Sequence, residues 1–192
     1  MYNQLKIIEN ASILIAEKKY SEAKEVLLEF IKNVKNVKID IKLYYSLYLA
    51  FDGLKEIENA KKYLEKCLKI NEKNHIVLNN LGNIFFREGN TLKAEKLYLK
   101  SFETKNDYLI SIINLAILYQ NIGKFDDSKK FYIKAINLSP KQISIYYNLS
   151  RVDKDFIDEK RISYLLDLMK SKKNELLEMS YGFFLLAEYE RK

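Results

Sequence analysis

Two stretches of the chain repeat one pattern 34 residues apart: LGNIFFREGNTLKAEKLYLKSF at residues 81–102 and LAILYQNIGKFDDSKKFYIKAI at residues 115–136. Leucine, aromatic, glycine and small residues recur in the same order in both copies. The matching pairs are Leu81 and Leu115, Phe85 and Tyr119, Gly89 and Gly123, Ala94 and Ser128, and Tyr98 and Tyr132. A constant period of this length predicts a structural repeat, in which each copy folds as the same unit.

Each copy predicts two helices joined by a tight turn. On both sides of Gly89 the apolar residues recur every three or four positions, which is the spacing of an amphipathic helix. Small residues, Ala94 and Ser128, stand where the two helices of a unit would cross closely. This pattern resembles the tetratricopeptide repeat, and the resemblance implies an all-α fold, a right-handed α-solenoid of helix-turn-helix units that binds other proteins.

Less regular copies of the pattern extend along the rest of the chain. Ala23 and Ala60 mark two earlier copies, and their separation is 37 because three extra residues around Val37 to Ile39 break the register. The prediction is four repeats over residues 1–142, at about 4–37, 41–74, 75–108 and 109–142. A degenerate fifth repeat and C-terminal capping helices of the same solenoid follow over residues 143–192, with helices at about 162–169 and 174–190.

The composition favours an all-α protein of the cytoplasm. One proline and five glycines among 192 residues leave few signals for strands and hairpins. The single Cys67 cannot form an internal disulfide, which favours a reducing compartment. The first residues lack the pattern of a signal peptide, and no apolar run reaches the length that spans a bilayer, so no membrane partner is expected.

The formal net charge of +7 is interpreted as a solvated outer face. Lysines alternate with acidic residues along the predicted helices, as in ENAKKYLEKCLKINEK at residues 58–73. A nucleic-acid patch is disfavoured because the sequence contains no recognisable RNA- or DNA-binding motif.

Residues suited to catalysis are scarce. His75 is the only histidine, and it opens the repeat at residues 75–108, where a cap or groove position is favoured over a catalytic base. Cys67 falls at a repeat position that is usually buried, which predicts an inert core thiol. No phosphate-binding loop, dinucleotide motif or metal-ligand spacing occurs. The sequence therefore predicts a protein that is not an enzyme and needs no cofactor or metal.

An asparagine series is the best candidate for a binding site. Asn80, Asn114 and Asn148 follow one another at 34-residue intervals, each directly before a repeat leucine. Side chains at one position in successive first helices would form a row along the concave groove, where amides could hold an extended peptide by its backbone. The residues predicted to flank this row are Asn79, Asn83, Arg87, Gln120, Asn121, Tyr147 and Arg151.

The flanking arginines favour a peptide partner with carboxylates. Tyr45 and Tyr147 are expected to face the same inner side, whereas most other aromatic residues occupy repeat positions that are buried. The alternative is that asparagine before leucine only serves the fold, by pairing with the neighbouring backbone.

The final predicted helix is apolar on most of its sides. The segment MSYGFFLLAEY at residues 179–189 leaves little polar surface for the end of a solenoid. Three alternatives stay open: the helix folds back as a cap, it forms a homo-oligomer with a second copy, or the natural protein continues. Residues 146–192 also loosely resemble the stretch that joins tetratricopeptide arrays to a sulfotransferase domain, which would make the chain the non-catalytic arm of a larger enzyme or, with self-assembly, a scaffold.

Overall fold

The computed structural model describes residues 2–34, 38–171 and 175–191, and over these residues the fold is all-α. A 3₁₀ turn at Lys154–Phe156 is the other regular element, and no strand occurs in the described ranges. The helices are α1 (Tyr2–Ala16), α2 (Tyr20–Asn33), α3 (Ile41–Gly53), α4 (Ile57–Ile70), α5 (His75–Arg87), α6 (Thr91–Thr104), α7 (Leu109–Asn121), α8 (Phe125–Leu138), α9 (Ile143–Ser150), α10 (Glu159–Ser171) and α11 (Leu176–Glu190). The predicted all-α fold of paired repeat helices is confirmed.

The chain divides into two compact units. The first, Met1–Thr104, contains α1 to α6, and the second, Lys105–Lys192, contains α7 to α11. Within the first unit α1 packs with α2, α3 with α4, and α5 with α6, and within the second α7 packs with α8. The predicted change from regular repeats to a degenerate fifth repeat, after residue 142, falls inside the second unit. Residues 35–37, where the predicted register break begins, lie outside the described residues, as does Asn174 at the predicted start of the last helix.

Left-handed turns join the two helices of each of the four pairs. Gly89 and Gly123 have φ angles of 76° and 75°, and Lys18 and Lys55 occupy the corresponding turns with φ angles of 61° and 63°. A glycine takes this conformation without a steric penalty, whereas a side chain brings its Cβ too close to the backbone. The sequence signal is therefore strong for the third and fourth pairs and weak for the first two.

Small residues allow the two helices of a pair to cross closely. Ala94 and Ser128 are fully buried, and the Ser128 hydroxyl donates to the Ala116 carbonyl at 2.8 Å. In the third pair, a Cβ added to Gly82 would lie 2.6 Å from Cε1 of Tyr98. The Tyr98 ring thus occupies the space that a side chain at position 82 would need.

The last helices of the second unit depart from regular pairing. α11 packs on both α9 and α10, with Gly182 and Leu185 facing inward. Oε2 of Glu178 accepts hydrogen bonds from the backbone N–H groups of Ile143, at 2.6 Å, and Ser144, so α11 caps the amino end of α9. The last helix thus folds back onto its own unit.

Candidate peptide-binding surface

The three asparagines of the predicted row are half-buried on the first helices of their repeats. Asn80 lies on α5 in the first unit, and Asn114 and Asn148 lie on α7 and α9 in the second. Asn114 takes part in an interaction within the protein, whereas no described residue pairs with the Asn148 amide. Asn148 therefore has a donor and an acceptor that the described fold does not use.

The Asn80 amide is positioned by an aromatic residue of the preceding first helix. Its Nδ2 donates to the Tyr45 hydroxyl at 2.9 Å. Burial raises the pKa of Tyr45, so the hydroxyl is neutral at physiological pH. A cavity of about 210 Å³ adjoins this pair and is lined by apolar groups of Ile41, Ile76 and Val77. In the first unit the surface therefore combines an amide with a small apolar recess.

Two predicted flanking amides hold buried tyrosines of their own repeats. The Tyr98 hydroxyl donates to Oδ1 of Asn83 at 2.8 Å, and the Tyr132 hydroxyl donates to Oε1 of Gln120 at 3.0 Å. Burial raises the pKa of both tyrosines. Asn83 and Gln120 thus satisfy polar atoms of the core, which is a structural function that the sequence alone did not indicate.

Asn79 does not flank the row on an accessible face. Its side chain is only 1% exposed. Each residue of a helix is rotated by about 100° from the one before it, so Asn79 turns into the core while the adjacent Asn80 stays accessible. The assignment of Asn79 to the groove surface is corrected accordingly.

Arg87 and Asn121 are exposed but engaged within their own units. The Arg87 guanidinium lies 2.6 Å from Oδ1 of Asp52, so its charge is already compensated. Nδ2 of Asn121 donates to the Ile117 carbonyl, one turn earlier on the same helix. The Arg87 charge and the Asn121 amide N–H, which the sequence suggested for peptide contacts, are therefore already used within the protein.

An aromatic cluster surrounds Tyr147 on α9. The ring centroid of Tyr147 lies 5.0 Å from that of Tyr181 and 6.0 Å from that of Phe184, both on α11. The Arg151 guanidinium carbon lies 5.9 Å from the Tyr147 ring centroid. Tyr147, Asn148 and Arg151 are thus close together at the carboxyl half of α9. Sequence reasoning missed Tyr181, although it lies 34 residues after Tyr147.

Groups suited to other chemistry are not assembled on this surface. The Cys67 thiol is fully buried, and burial raises its pKa to about 12, which confirms the predicted core thiol. In the described ranges no group of three or more His, Cys, Asp or Glu side chains could hold a metal ion. None of the helices described is long and apolar enough to span a lipid bilayer.

Helix hairpins at a constant spacing, with half-buried amides on their first helices, define a helical-repeat protein. The sequence model of the tetratricopeptide repeat family matches residues 41–74 and 111–142. The chain contains tetratricopeptide repeats over these residues. Repeats of this family form protein-interaction modules, and that is the class of function to which the chain belongs.

Solved structures of low sequence identity share the fold. A double mutant of MamA RS-1 aligns with a TM-score of 0.69 and 16% identity over 98% of each chain. MamA from residue 41 to its end, from Desulfovibrio magneticus RS-1, aligns at 0.67 and 14%, over 98% of this chain and 97% of that one. PilF of Pseudomonas aeruginosa aligns at 0.68 and 16%, over 98% and 93%.

Proposed function

We propose that the chain binds an extended peptide segment of a partner protein on the exposed face of its first helices. Asn114 and Asn148 hold the peptide backbone in the second unit, and Asn80 in the first unit offers a peptide an amide of its own. The observation that carries this proposal is the Asn148 amide, which is half-buried and has no pairing with any described residue. An amide in that state is ready to donate to a peptide carbonyl and accept from a peptide N–H.

Side chains beside the amides supply the preference for particular peptides. The recess beside Tyr45 suits an apolar side chain, and Arg151 favours an acidic one. No catalytic step is assigned to the protein. Binding in the cytoplasm agrees with the buried, unpaired Cys67.

Selection from a displayed peptide library, followed by calorimetry on the selected peptide, tests the proposal. Each asparagine-to-backbone interaction contributes about 1 kcal/mol, so the double variant Asn114→Ala, Asn148→Ala should bind about 30-fold more weakly. Asn137→Ala removes an exposed asparagine from the second helix α8 and is the matched control. An unchanged affinity in the double variant, with the circular dichroism of the wild type, would contradict the proposal.

Self-association through α11 is a second candidate, and a specific observation favours it. Leu176, Leu177, Phe183 and Phe184 lie on one face of α11 and are 58–83% exposed. In the described chain no other helix carries four exposed large apolar side chains. A face of this size on one helix indicates contact with another protein surface.

The repeat register explains why this face lacks a cover. Leu177, Phe183 and Phe184 come 34 residues after Ile143, Leu149 and Ser150, which are buried in α9. The positions of Leu149 and Ser150 are buried again as Leu81 and Gly82 in α5 and as Leu115 and Ala116 in α7, and each of these helices packs with the second helix of its own pair. With Phe183 and Phe184, α11 thus exposes positions that earlier first helices bury.

A second copy of the chain fits this face because the face is self-complementary. Its leucines lie at one end and its phenylalanines toward the other, with the small Ser180 between them. In a two-fold antiparallel pair, the phenylalanines of one copy would meet the leucines and Ser180 of the other. Light scattering should show a mass that rises with concentration for the wild type and for the exposed-leucine control Leu92→Ser. Loss of that rise is expected for Phe183→Ser, Phe184→Ser, and a wild type that stays monomeric throughout would refute self-association.

A further inference from the structure

A cavity of about 650 Å³ lies within the second unit, where side chains of α8, α9, the 3₁₀ turn and α10 converge. Its lining is mainly apolar. Three aromatic rings, those of Tyr146, Phe156 and Tyr164, form what we call the aromatic wall, and Ile133 and Ile136 of α8 line another side. A cavity of this volume with an aromatic lining has the size and the surface of a small-molecule site.

The cavity is a consequence of the degenerate fifth repeat. Residues 122–124 join α7 to α8, and these two helices pack against each other as a regular pair. The connection from α9 to α10 is longer, residues 151–158, and α10 packs with α11. This longer connection carries Phe156 and Asp158 into the lining of the cavity. The short turns of the regular pairs have no residues at the corresponding place.

The aromatic wall is continuous, and two of its rings are held in place. The ring centroid of Tyr146 lies 6.3 Å from that of Phe156 and 6.2 Å from that of Tyr164, with interplanar angles of 37° and 47°. The hydroxyls of Tyr146 and Tyr164 both donate to the Pro140 carbonyl, at 3.0 and 3.1 Å. Rings that are already oriented lose little freedom when a ligand binds. A planar aromatic ligand gains offset or edge-to-face contacts on such a wall that an aliphatic ligand of equal size does not.

The charged side chains that line the cavity select the sign of the ligand. Asp158 forms an ion pair with Arg161, whose guanidinium carbon lies 4.3 Å from the Phe156 ring centroid, so these two charges compensate each other. Lys160 is exposed at the cavity, and no residue in the described ranges pairs with its ammonium. Burial raises the pKa of Tyr146 to about 12, so its hydroxyl adds no negative charge. The lining therefore carries one uncompensated positive charge, which attracts an acid and repels an ammonium group.

We infer that this cavity binds a small aromatic acid, with its planar ring against the aromatic wall and a single carboxylate directed to the Lys160 ammonium. The isoleucines of α8 contact the ring from another side. The proposed peptide contacts of the second unit, Asn114 and Asn148, do not line the cavity. The inference therefore goes beyond the proposed peptide binding and does not depend on it.

Nuclear magnetic resonance titration with matched probes at constant ionic strength tests the site. Naphthylacetate carries both the ring and the acid, naphthylacetamide is neutral, naphthylethylammonium is cationic, and decahydronaphthylacetate is a saturated acid of similar size. Naphthylacetate should shift the amide signals of residues 156–164 saturably, with a dissociation constant of about 1 mM or lower. It should bind about three-fold more tightly than the amide and about five-fold more tightly than the saturated acid. Tighter binding of the ammonium probe or of the saturated acid would overturn the inference.

Two substitutions test the cavity and its charge separately. Ile133→Trp fills the cavity from α8 and should weaken naphthylacetate binding about ten-fold or more. Ile110→Trp is the matched control, because both isoleucines are exposed on helices of the second unit, at 38% and 51%, and Ile110 does not line the cavity. Lys160→Gln should leave both naphthyl probes bound but remove the preference for the acid over the amide. Unchanged binding in Ile133→Trp, or a retained acid preference in Lys160→Gln, would contradict the inference.

A further comparison separates a free small molecule from an aromatic side chain of a protein partner. N-acetyl-phenylalanine amide represents such a side chain and should bind more weakly than naphthylacetate, because it has no carboxylate for Lys160. Tighter binding of this peptide analogue would reject the small-acid site. Asn114→Ala, Asn148→Ala should leave naphthylacetate binding unchanged, so the result is independent of whether the chain binds an extended peptide. Loss of naphthylacetate binding in that double variant would reject the location of the site.

Discussion

Replacement of Gly82 by alanine should destabilise the third helix pair, although alanine is the better helix former. The added Cβ would lie 2.6 Å from Cε1 and 2.7 Å from Cδ1 of Tyr98. The ring cannot move away freely, since Tyr98 is 2% exposed and its hydroxyl is bonded to Asn83. Gly82→Ala must therefore displace a well-packed ring or break its hydrogen bond.

The magnitude follows from three contributions. Overpacking of this kind costs 1–3 kcal/mol, about 1 kcal/mol is lost with the hydrogen bond, and alanine returns about 1 kcal/mol through helix propensity. We expect a net loss of about 2 kcal/mol. The fourth pair supports this reasoning. It has Ala116 at the position equivalent to Gly82, and its Tyr132 hydroxyl bonds Gln120. Gln120 lies about one turn beyond the position equivalent to Asn83, so the tyrosine beside an alanine uses a different partner.

Urea unfolding followed by circular dichroism measures the effect, and a double-mutant cycle isolates its cause. In a Tyr98→Phe background the hydrogen bond is already absent, so Gly82→Ala should cost about 1 kcal/mol less than in the wild type. Gly89→Ala is a control for the loss of a glycine, because nothing lies within 4 Å of its added Cβ and only the positive φ is strained. A Gly82→Ala protein as stable as the wild type would refute the packing argument.

Three further predictions concern the turns, the last helix and alkaline pH. Lys55→Gly should stabilise the protein by about 0.5 kcal/mol in urea unfolding, because glycine relieves the φ of 63°, as Gly123 does in its own turn. Glu178→Ala should cost about 1 kcal/mol and speed amide hydrogen exchange at the amino end of α9, since the cap from α11 is lost; slow exchange there would argue against it. Burial raises the pKa of Cys67 and of Tyr146 to about 12, from 9.0 and 10.0, so the folded state favours their neutral forms. That stabilisation is complete below pH 9.0 and declines as the pH rises toward about 12, so the urea midpoint should fall between pH 8 and pH 11.

Helix pairs and their turns were predictable because the signals that specify them are local. Gly89 takes its left-handed conformation within its own turn. Ala94 is buried where its helix crosses the first helix of the same pair, which lies only a few residues earlier in the chain. The first two pairs gave weaker signals, since Lys18 and Lys55 adopt the same conformation without the residue type that normally indicates it. For those two pairs, the periodicity of apolar residues was sufficient to predict the helices.

Contacts of individual polar side chains were harder to predict. Asn79 and Asn80 are adjacent and identical in type, yet one is buried and the other bonds Tyr45. Asn83 was predicted to flank a ligand, but its side-chain Oδ1 accepts a hydrogen bond from the Tyr98 hydroxyl of the next helix. Composition and spacing place such residues on a helix, and the partner that each one meets depends on which side chain the neighbouring helix brings to it.

Sequence by itself determined the repeat, its helices and the register of the asparagines, because a 34-residue period and an apolar face are properties of the chain read in order. Tertiary structure decided how the second unit ends. Glu178 caps α9 from a helix 35 residues away in sequence, and α11 buries Leu185 while it exposes Phe184. An apolar sequence is compatible with either face inward. Only the packing of α11 against α9 and α10 selects which face contacts the core and which remains exposed.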